Sequence, residues 1–145
     1  MQEATLMNRL PTPEEFLALR KSAKWLIPDP KAVTAAMDNS LFGVCVECDG
    51  QMVGMGRVVG DCTLTFYIQD LIVLPEYQRR GYGRMMMDAL MQYIHENAAE
   101  TAVIGLFSAR GLETFYGSYG FIERPQKHLG PGMVFFEKKD IKEYS

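Results

Sequence analysis

The spacing of apolar and polar residues predicts two helices near the start of the chain. Thr12, Pro13 and Glu15 form a helix-start pattern, in which the threonine caps the helix and the glutamate three positions on completes a capping box. Apolar residues then recur on one helical face, and we expect this helix to end near Trp25 because the prolines that follow cannot occupy a helix interior. A second short helix is predicted over residues 30–37.

Three predicted strands follow these helices. Residues 41–48 and 51–59 are rich in apolar and β-branched side chains, and Asp49-Gly50 between them is a preferred two-residue hairpin turn. Residues 63–73 are predicted to form a further strand that ends before Pro75, because proline cannot donate to a sheet. The apolar content of this strand favours a central place in the sheet.

The second half of the chain alternates helices and strands. Apolar residues three and four positions apart predict an amphipathic helix over Tyr82–Asn97. A short strand at 101–107, a brief helix at 112–118 and a last strand at 133–137 complete the predicted order. Antiparallel strands therefore precede one strand–helix–strand unit, which favours an α+β fold with a mixed, mostly antiparallel central sheet flanked by helices.

Composition and charge narrow the range of functions. The chain has 145 residues, the size of one ordinary domain, so we expect a single domain over residues 1–145. A net charge of −3 argues against a surface built for nucleic acid. The sequence contains no apolar run long enough to cross a bilayer, and its N-terminus lacks a secretory pattern. We therefore expect a cytoplasmic protein that binds a small molecule or a protein and no membrane.

The loop between the central strand and the amphipathic helix carries the clearest chemical pattern. The first turn of a helix has backbone N–H groups without internal partners and a partial positive charge, and both attract anions. Gly81 and Gly83 leave these N–H groups open to a phosphate. Three arginines add charge and paired donors: Arg79, Arg80 and Arg84. A pyrophosphate fits this pattern.

Two common phosphate motifs do not fit the same loop. A Walker loop requires a Gly-Lys-Ser/Thr ending, which the chain lacks. A dinucleotide fingerprint requires a third glycine where Met86 stands, and Gly54-x-Gly56 lies within a predicted strand and opens no helix. Taken by itself, the Gly-x-Gly pattern is also compatible with an ordinary strand-to-helix connection that carries surface arginines.

Two motifs together resemble the GCN5-related N-acetyltransferase family. Gln78-x-x-Gly81-x-Gly83, which follows the strand ending at Val73, is similar to that family's acetyl-CoA-binding loop. Phe115-Tyr116-x-x-x-Gly120-Phe121 is similar to its signature near the thioester. The resemblance implies an acyl-CoA N-acyltransferase-like fold, acetyl-CoA as cosubstrate and no metal. It also implies transfer of the acetyl group to a primary amine by direct attack, with a small amine or an amino sugar favoured.

The same resemblance implies roles for individual residues. Main-chain groups of the central strand would contact the pantetheine arm, and one of these amides would polarise the acetyl carbonyl. Tyr116 would donate a proton to the departing thiolate. The chain departs from many relatives in having Leu112 where an asparagine that contacts the cofactor is common. The residues whose main chain would contact the pantetheine arm are Leu71, Ile72 and Val73. The loop that would bind the pyrophosphate consists of Gln78, Arg79, Arg80, Gly81, Tyr82, Gly83 and Arg84.

Two candidate catalytic residues each have a second interpretation. Asp70, just before the pantetheine-contacting run, is the candidate base that removes the proton of the amine, directly or through a water. It is equally compatible with a carboxylate that only orients the backbone at a strand irregularity. Tyr116 is compatible with a core aromatic whose hydroxyl finds a buried partner.

Other functions stay open as alternatives. One is a coenzyme A-binding sensor or interaction module without turnover, and another is a phosphate-binding domain unrelated to coenzyme A. Whatever the function, an exposed strand edge would allow a homodimer. Cys45 and Cys48 have the spacing of a redox or zinc pair, but they lie on a predicted strand and the chain offers no second pair of ligands with its own spacing. We therefore expect no metal.

Overall fold

The structure, a computed structural model, describes residues 3–138, which form two units. The first unit ends at Leu106 and contains a five-stranded sheet; the second begins at Phe107. The elements of the first unit are, in chain order, β1 (Ala4–Met7), α1 (Pro13–Ser22), α2 (Pro30–Asp38), β2 (Phe42–Cys48), β3 (Gln51–Gly60), β4 (Thr65–Val73), α3 (Tyr82–Asn97) and β5 (Val103–Gly105). The second contains α4 (Glu113–Gly117).

The sheet follows chain order from β1 to β5. The first four strands pair antiparallel, and only β4 and β5 pair parallel, connected through α3. The hairpin between β2 and β3 turns at Asp49 and Gly50, whose φ angles of 51° and 78° both lie in the left-handed region that a tight two-residue turn requires. The prediction of a mixed, mostly antiparallel sheet flanked by helices is confirmed.

Helix α1 begins at the capping box predicted from the sequence. The Glu15 amide donates to the Thr12 hydroxyl oxygen at 3.2 Å, and the Thr12 amide donates to the Glu15 carboxylate at 2.9 Å. Two N–H groups that the helix itself cannot satisfy are thereby paired. Asp29 caps α2 in a similar way, accepting from two amides of its first turn.

Apolar side chains cover both faces of the sheet. Helix α3 packs against β2, β3 and β4, and a Cβ atom at Gly54 would lie 3.0 Å from the Met86 terminal methyl, so glycine permits this close approach. Met86 and Met87 on α3 are fully buried and fill the space between the helix and the sheet. A separate cluster contains α1 and α2 residues and extends to β3 and β4; it consists of Phe16, Leu19, Val33, Met37, Met55 and Ile72.

Two strand predictions were wrong. Strand β1 was not anticipated, although Ala4–Met7 pairs with β2 along four residues. Residues 133–137 form no strand in the described part of the chain, and Met133 and Phe135 there are 85% and 77% exposed. An extended apolar sequence forms a strand only where a neighbour accepts and donates its hydrogen bonds, and propensity alone does not supply that neighbour. Strand β5 is also shorter than predicted.

The second unit begins with an irregular segment and the short helix α4. Gly120 follows this helix with a φ of 94°, the left-handed conformation predicted for a glycine at a helix end. The Phe121 amide donates to the Tyr116 carbonyl across this turn. Among residues 3–138, none of the helices has the length and apolar character needed to cross a membrane.

Candidate active site

The loop between β4 and α3 ends in an open helix N-terminus. A single 3-10 turn, Pro75–Tyr77, follows β4, and Gly81 then occupies the position before the helix with a φ of 87°. No side chain of the described residues caps this end of α3, and a Cβ atom at Gly81 would meet open space. A helix N-terminus of this kind, with a glycine before its first turn and no side-chain cap, is suited to an anionic ligand.

Side chains of the loop hold its backbone in place. The Gln78 amide nitrogen donates to the Val73 carbonyl at 3.0 Å, which ties the loop to the end of β4. Arg80 donates to the Glu76 carbonyl at 3.1 Å, and its guanidinium lies 5.0 Å from the centre of the Tyr77 ring. Arg79 adopts a left-handed φ of 64°, which is unfavourable for a residue with a side chain. These contacts within the loop define its shape.

Tyr82, predicted to belong to the pyrophosphate loop, has a buried side chain. Its hydroxyl lies 3.9 Å from the Cys48 sulfur on β2. The ring therefore anchors the first turn of α3 on the sheet, and only the backbone of Tyr82 is placed for a role in the loop.

Asp70 lies at a bulge in β4. Arg57 on β3 is paired with Gln69 and Met55 with Ile72, so Asp70 and Leu71 together face the single residue Gly56. Asp70 has a φ of 59°, in the left-handed region that aspartate tolerates better than most residues. The strand irregularity required by the second interpretation of Asp70 is present.

Both oxygens of the Asp70 carboxylate are held by arginines. Arg20 on α1 donates to Oδ1 at 2.7 Å, and Arg57 on β3 donates to Oδ2 at 2.8 Å. The Asp70 side chain is 1% exposed. A base must reach the amine or a water, so this burial favours the orienting interpretation of Asp70, while its role as a base stays a prediction.

Sequence reasoning missed both arginines. Arg20 and Asp70 are 50 residues apart, and Arg57 and Asp70 are 13 apart. The available indication was an aspartate inside an apolar strand, where a charged group requires a partner. That requirement does not identify which of the chain's basic residues supplies it.

Tyr116, the predicted proton donor, is a largely buried residue of α4. Its ring contacts Phe115 and Phe121 edge to face, with centroid distances of 5.1 and 6.3 Å. Burial raises the pKa of its hydroxyl above the ordinary tyrosine value. The Tyr116 hydroxyl makes no hydrogen bond within residues 3–138. Every fully buried side-chain oxygen in this range does make a hydrogen bond. The Tyr116 hydroxyl is therefore not fully buried and has some contact with solvent. Tyr116 lies in the second unit, whereas Asp70 and the loop lie in the first.

Trp25, Cys45 and Cys48 contribute to the core of the first unit. Trp25 packs against the cluster of α1 and α2, so it extends the core. Cys45 and Cys48 are buried, and burial raises the pKa of the Cys45 thiol to about 11, which makes it unreactive. Among the described residues, no group of three or more histidine, cysteine, aspartate or glutamate side chains is arranged to hold a metal ion.

Comparison with known proteins identifies the family. A family model of the acetyltransferase (GNAT) domain matches residues 12–137. The chain belongs to the GNAT acetyltransferase family. This confirms the family and the fold that the two motifs implied, and the match runs through the β4–α3 loop and the Tyr116 segment alike.

Relatives of this GNAT chain include solved structures and curated sequences. A probable acetyltransferase of unknown function from meticillin-resistant Staphylococcus aureus superposes with a TM-score of 0.84 at 30% identity, covering 92% of this chain and 99% of the other. The uncharacterised N-acetyltransferase ycf52 of Pyropia yezoensis is 28% identical over 77% of this chain. A ycf52-like N-acetyltransferase of Prochlorococcus marinus is 30% identical over the same share. The matched part spans 65% and 63% of the lengths of these two curated relatives.

Proposed function

We propose that this GNAT protein transfers the acetyl group of acetyl-CoA to a primary amine. The observation that carries the proposal is the N-terminus of α3, which has a left-handed Gly81 and no side-chain cap and which lies beside three arginines in the sequence. A pyrophosphate matches this arrangement in charge and in hydrogen-bonding type, and coenzyme A carries one. Acetyl-CoA carries its acetyl group as a thioester, and a neutral amine can attack the thioester carbonyl carbon.

Binding is assigned to two consecutive segments of the first unit. Backbone amides of residues 79–84 bind the pyrophosphate, and Gln78 supports them through its bond to Val73. Main-chain groups of Leu71, Ile72 and Val73 contact the pantetheine arm, where β4 leaves its bulge. Leu112 stands where relatives often carry an asparagine; it is 41% exposed and offers no polar side-chain contact.

The chemical step requires a proton acceptor, a stabilised oxyanion and a proton donor. The new N–C bond forms as the C–S bond breaks, the amine gives up one proton to a water molecule, and the sulfur gains one proton from Tyr116. An amide of the β4 segment stabilises the negative charge on the acetyl oxygen. Tyr116 donates the proton to the sulfur, since its surface-accessible hydroxyl has a raised pKa and is neutral at physiological pH.

The two units are proposed to act as one catalytic domain. The family match spans residues 12–137 and therefore includes both. The acceptor is proposed to be a small amine or an amino sugar. Dimerisation through a sheet edge, formed here by β1 or β5, stays a prediction.

Calorimetry followed by a thiol-release assay tests the proposal. The purified chain is titrated with acetyl-CoA, with inorganic pyrophosphate and ATP as competitors, and then assayed with glucosamine, spermidine and a lysine-containing peptide. We expect acetyl-CoA to bind and thiol release to depend on glucosamine or spermidine. Binding without amine-dependent release would favour the sensor alternative. Equal binding of ATP and acetyl-CoA would contradict the coenzyme A assignment.

A further inference from the structure

We propose that Arg20, Asp70 and Arg57 form a positioning network that sets the backbone of β4 for acetyl transfer. We call these three residues the β4 network. The proposal rests on the proposed function, because it assigns the network's effect to the amides that follow Asp70. In this proposal Asp70 itself does not accept the proton of the amine.

The conformation of Asp70 needs outside support. A residue with a side chain is strained in the left-handed region, and Asp70 adopts a φ of 59° inside a strand. Strain of this kind persists only where surrounding contacts fix it. The two ion pairs, at 2.7 and 2.8 Å on separate oxygens, leave the carboxylate little freedom to rotate and thereby hold the bulge.

The network extends from the bulge to the α1 side of the sheet. Arg20 also donates to the Leu26 carbonyl, through Nε at 2.9 Å and Nη2 at 2.7 Å. Its guanidinium lies 5.5 and 5.6 Å from the ring centres of Phe16 and Trp25. Arg20 therefore fixes the segment after α1 and the β4 bulge at the same time.

Arg57 supplies the second support from the neighbouring strand. Its Nη1 donates to the Ser40 hydroxyl at 3.0 Å, while its Nε holds Asp70. The side chains of both arginines are 14% exposed, so each charge is largely shielded from water. The loss of Asp70 would leave two buried arginines without their partner, and the loss of either arginine would leave one buried carboxylate oxygen without its hydrogen bond; in each case the bulge would then relax.

The bulge decides the direction of the next peptides. Leu71 points to the α3 face, where its Cδ1 would lie 3.0 Å from a Cβ atom at Gly56. Ile72 points to the opposite face and joins the cluster that contains Phe16 and Met55. Both side chains are locked on their faces once Asp70 is fixed, so the amides of Leu71 and Ile72 are fixed as well.

Glycine and alanine at position 70 separate positioning from proton transfer. Neither residue has a carboxylate, but glycine adopts a positive φ freely and alanine does not. If the network acts by positioning, Asp70→Gly retains a kcat about tenfold above that of Asp70→Ala. If Asp70 is the catalytic base, the two variants should lose kcat to the same extent. The assay uses whichever of glucosamine, spermidine and the lysine peptide is acetylated fastest.

A split between binding and turnover excludes a purely structural effect. Both variants are expected to lose no more than about threefold in coenzyme A affinity, because the pyrophosphate loop stays intact and only the pantetheine contacts of Leu71 and Ile72 are disturbed. A fall in kcat at unchanged coenzyme A affinity, measured below the melting temperature, supports positioning. Loss of stability alone with unchanged kcat would overturn it.

Arg57→Gln provides a second test that leaves Asp70 paired with Arg20. Positioning predicts a fall in kcat of about tenfold, and no further fall when Arg57→Gln is added to Asp70→Gly. If Asp70 is instead the catalytic base, Arg57→Gln alone should have a nearly normal kcat, or the two losses of kcat should multiply in the variant that carries both Asp70→Gly and Arg57→Gln.

Hydrogen exchange keeps the proposal testable without an acceptor. The amides of residues 69–73 are expected to exchange faster in Asp70→Ala and Arg57→Gln than in Asp70→Gly or the wild type. If the wild-type chain acetylates none of the amines, the proposed function fails while this readout still decides whether the network holds the bulge. Equal exchange in all four proteins would overturn the network.

Discussion

The pyrophosphate loop and the β4 network are built in opposite ways. The loop is made of backbone groups from one continuous segment, and Gly81 contributes by having no side chain. The network is made of side chains brought together from α1, β3 and β4, and it depends on three charges in contact. A site of the first kind leaves a motif in the sequence, whereas a site of the second kind exists only after folding.

The two constructions also differ in what a substitution removes. Amides remain when a loop side chain is shortened, so the loop is expected to tolerate changes at its arginines better than changes at its glycines. Each side chain of the network is a partner of another, so any single replacement leaves a buried polar or charged group without one of its hydrogen bonds. This difference can be tested at both places.

The largest effect is expected for Gly81→Asp, which changes the backbone of the pyrophosphate loop at the N-terminus of α3. Aspartate must adopt a φ near 87° there and places a carboxylate beside the N-terminus that would receive the pyrophosphate. We expect acetyl-CoA affinity to fall by at least about 100-fold, since the bound anion would face a like charge at short range. Calorimetric titration of the folded variant measures the loss.

Gly50→Asp is the matched control for this change. Gly50 also has a positive φ, 78°, and its Cβ position also meets open space, but it lies in the β2–β3 turn. The control is expected to keep its acetyl-CoA affinity. Equal affinity in Gly81→Asp and Gly50→Asp would contradict the placement of the pyrophosphate.

Tyr116→Phe is expected to have the next largest effect and to separate chemistry from binding. Removal of the hydroxyl eliminates the proposed proton donor, so kcat should fall by about 100-fold while acetyl-CoA affinity stays the same. In the wild type the raised pKa of Tyr116 keeps the donor protonated to a higher pH than a free tyrosine, so the donor is lost only at strongly alkaline pH.

Tyr119→Phe serves as the control for the Tyr116 prediction. Tyr119 lies three residues further on, in the turn after α4, and its ring contacts Phe115 as the Tyr116 ring does. An identical loss of turnover in both variants would point to a general disturbance of the second unit instead of proton donation.

Local patterns account for the parts of the molecule that the sequence predicted well. The capping box of α1, the Asp49-Gly50 turn, the buried face of α3 and the Gly81 helix start each depend on residues close together in the chain. Their physical causes act within a few residues, so they can be recognised before the fold is known.

Long-range contacts account for the parts that the sequence did not reveal. Strand β1 exists because β2 offers it a free edge, and residues 133–137 form no strand although their composition favours one. Arg20 and Arg57 meet Asp70 only after α1 has packed on the sheet and β3 has paired with β4. Contacts between residues so far apart in the chain leave no local sequence motif. The position of Asp70 in the sequence was therefore equally compatible with a catalytic base and with a group that orients the backbone.

The smallest effect is expected at the ion pair between Arg9 and Glu15, which contrasts with the buried pairs of Asp70. The side chains of Arg9 and Glu15 are 38% and 25% exposed, and the residues are only six apart in the chain. The hydrogen bond from Arg9 lowers the pKa of Glu15 to about 2. A pKa lowered by folding stabilises the folded state above the ordinary carboxyl value, and this contribution is lost as the pH falls from about 4.5 to about 2.

Glu15→Gln keeps an oxygen that can accept the capping hydrogen bond, but it removes the charge and the hydrogen bond from Arg9 Nη2 to the second carboxylate oxygen. Because water screens this pair, we expect the free energy of unfolding at pH 7 to fall by about 1 kcal/mol, with little change in kcat. Urea unfolding from pH 7 to pH 2 should show the curves of the variant and the wild type converging at low pH. Glu14→Gln, which leaves the Arg9 pair intact, should follow the wild type. A difference that persists to pH 2 would mean that the pair stabilises α1 by contact rather than by charge, and the contrast with the buried Asp70 pairs would lose its electrostatic basis.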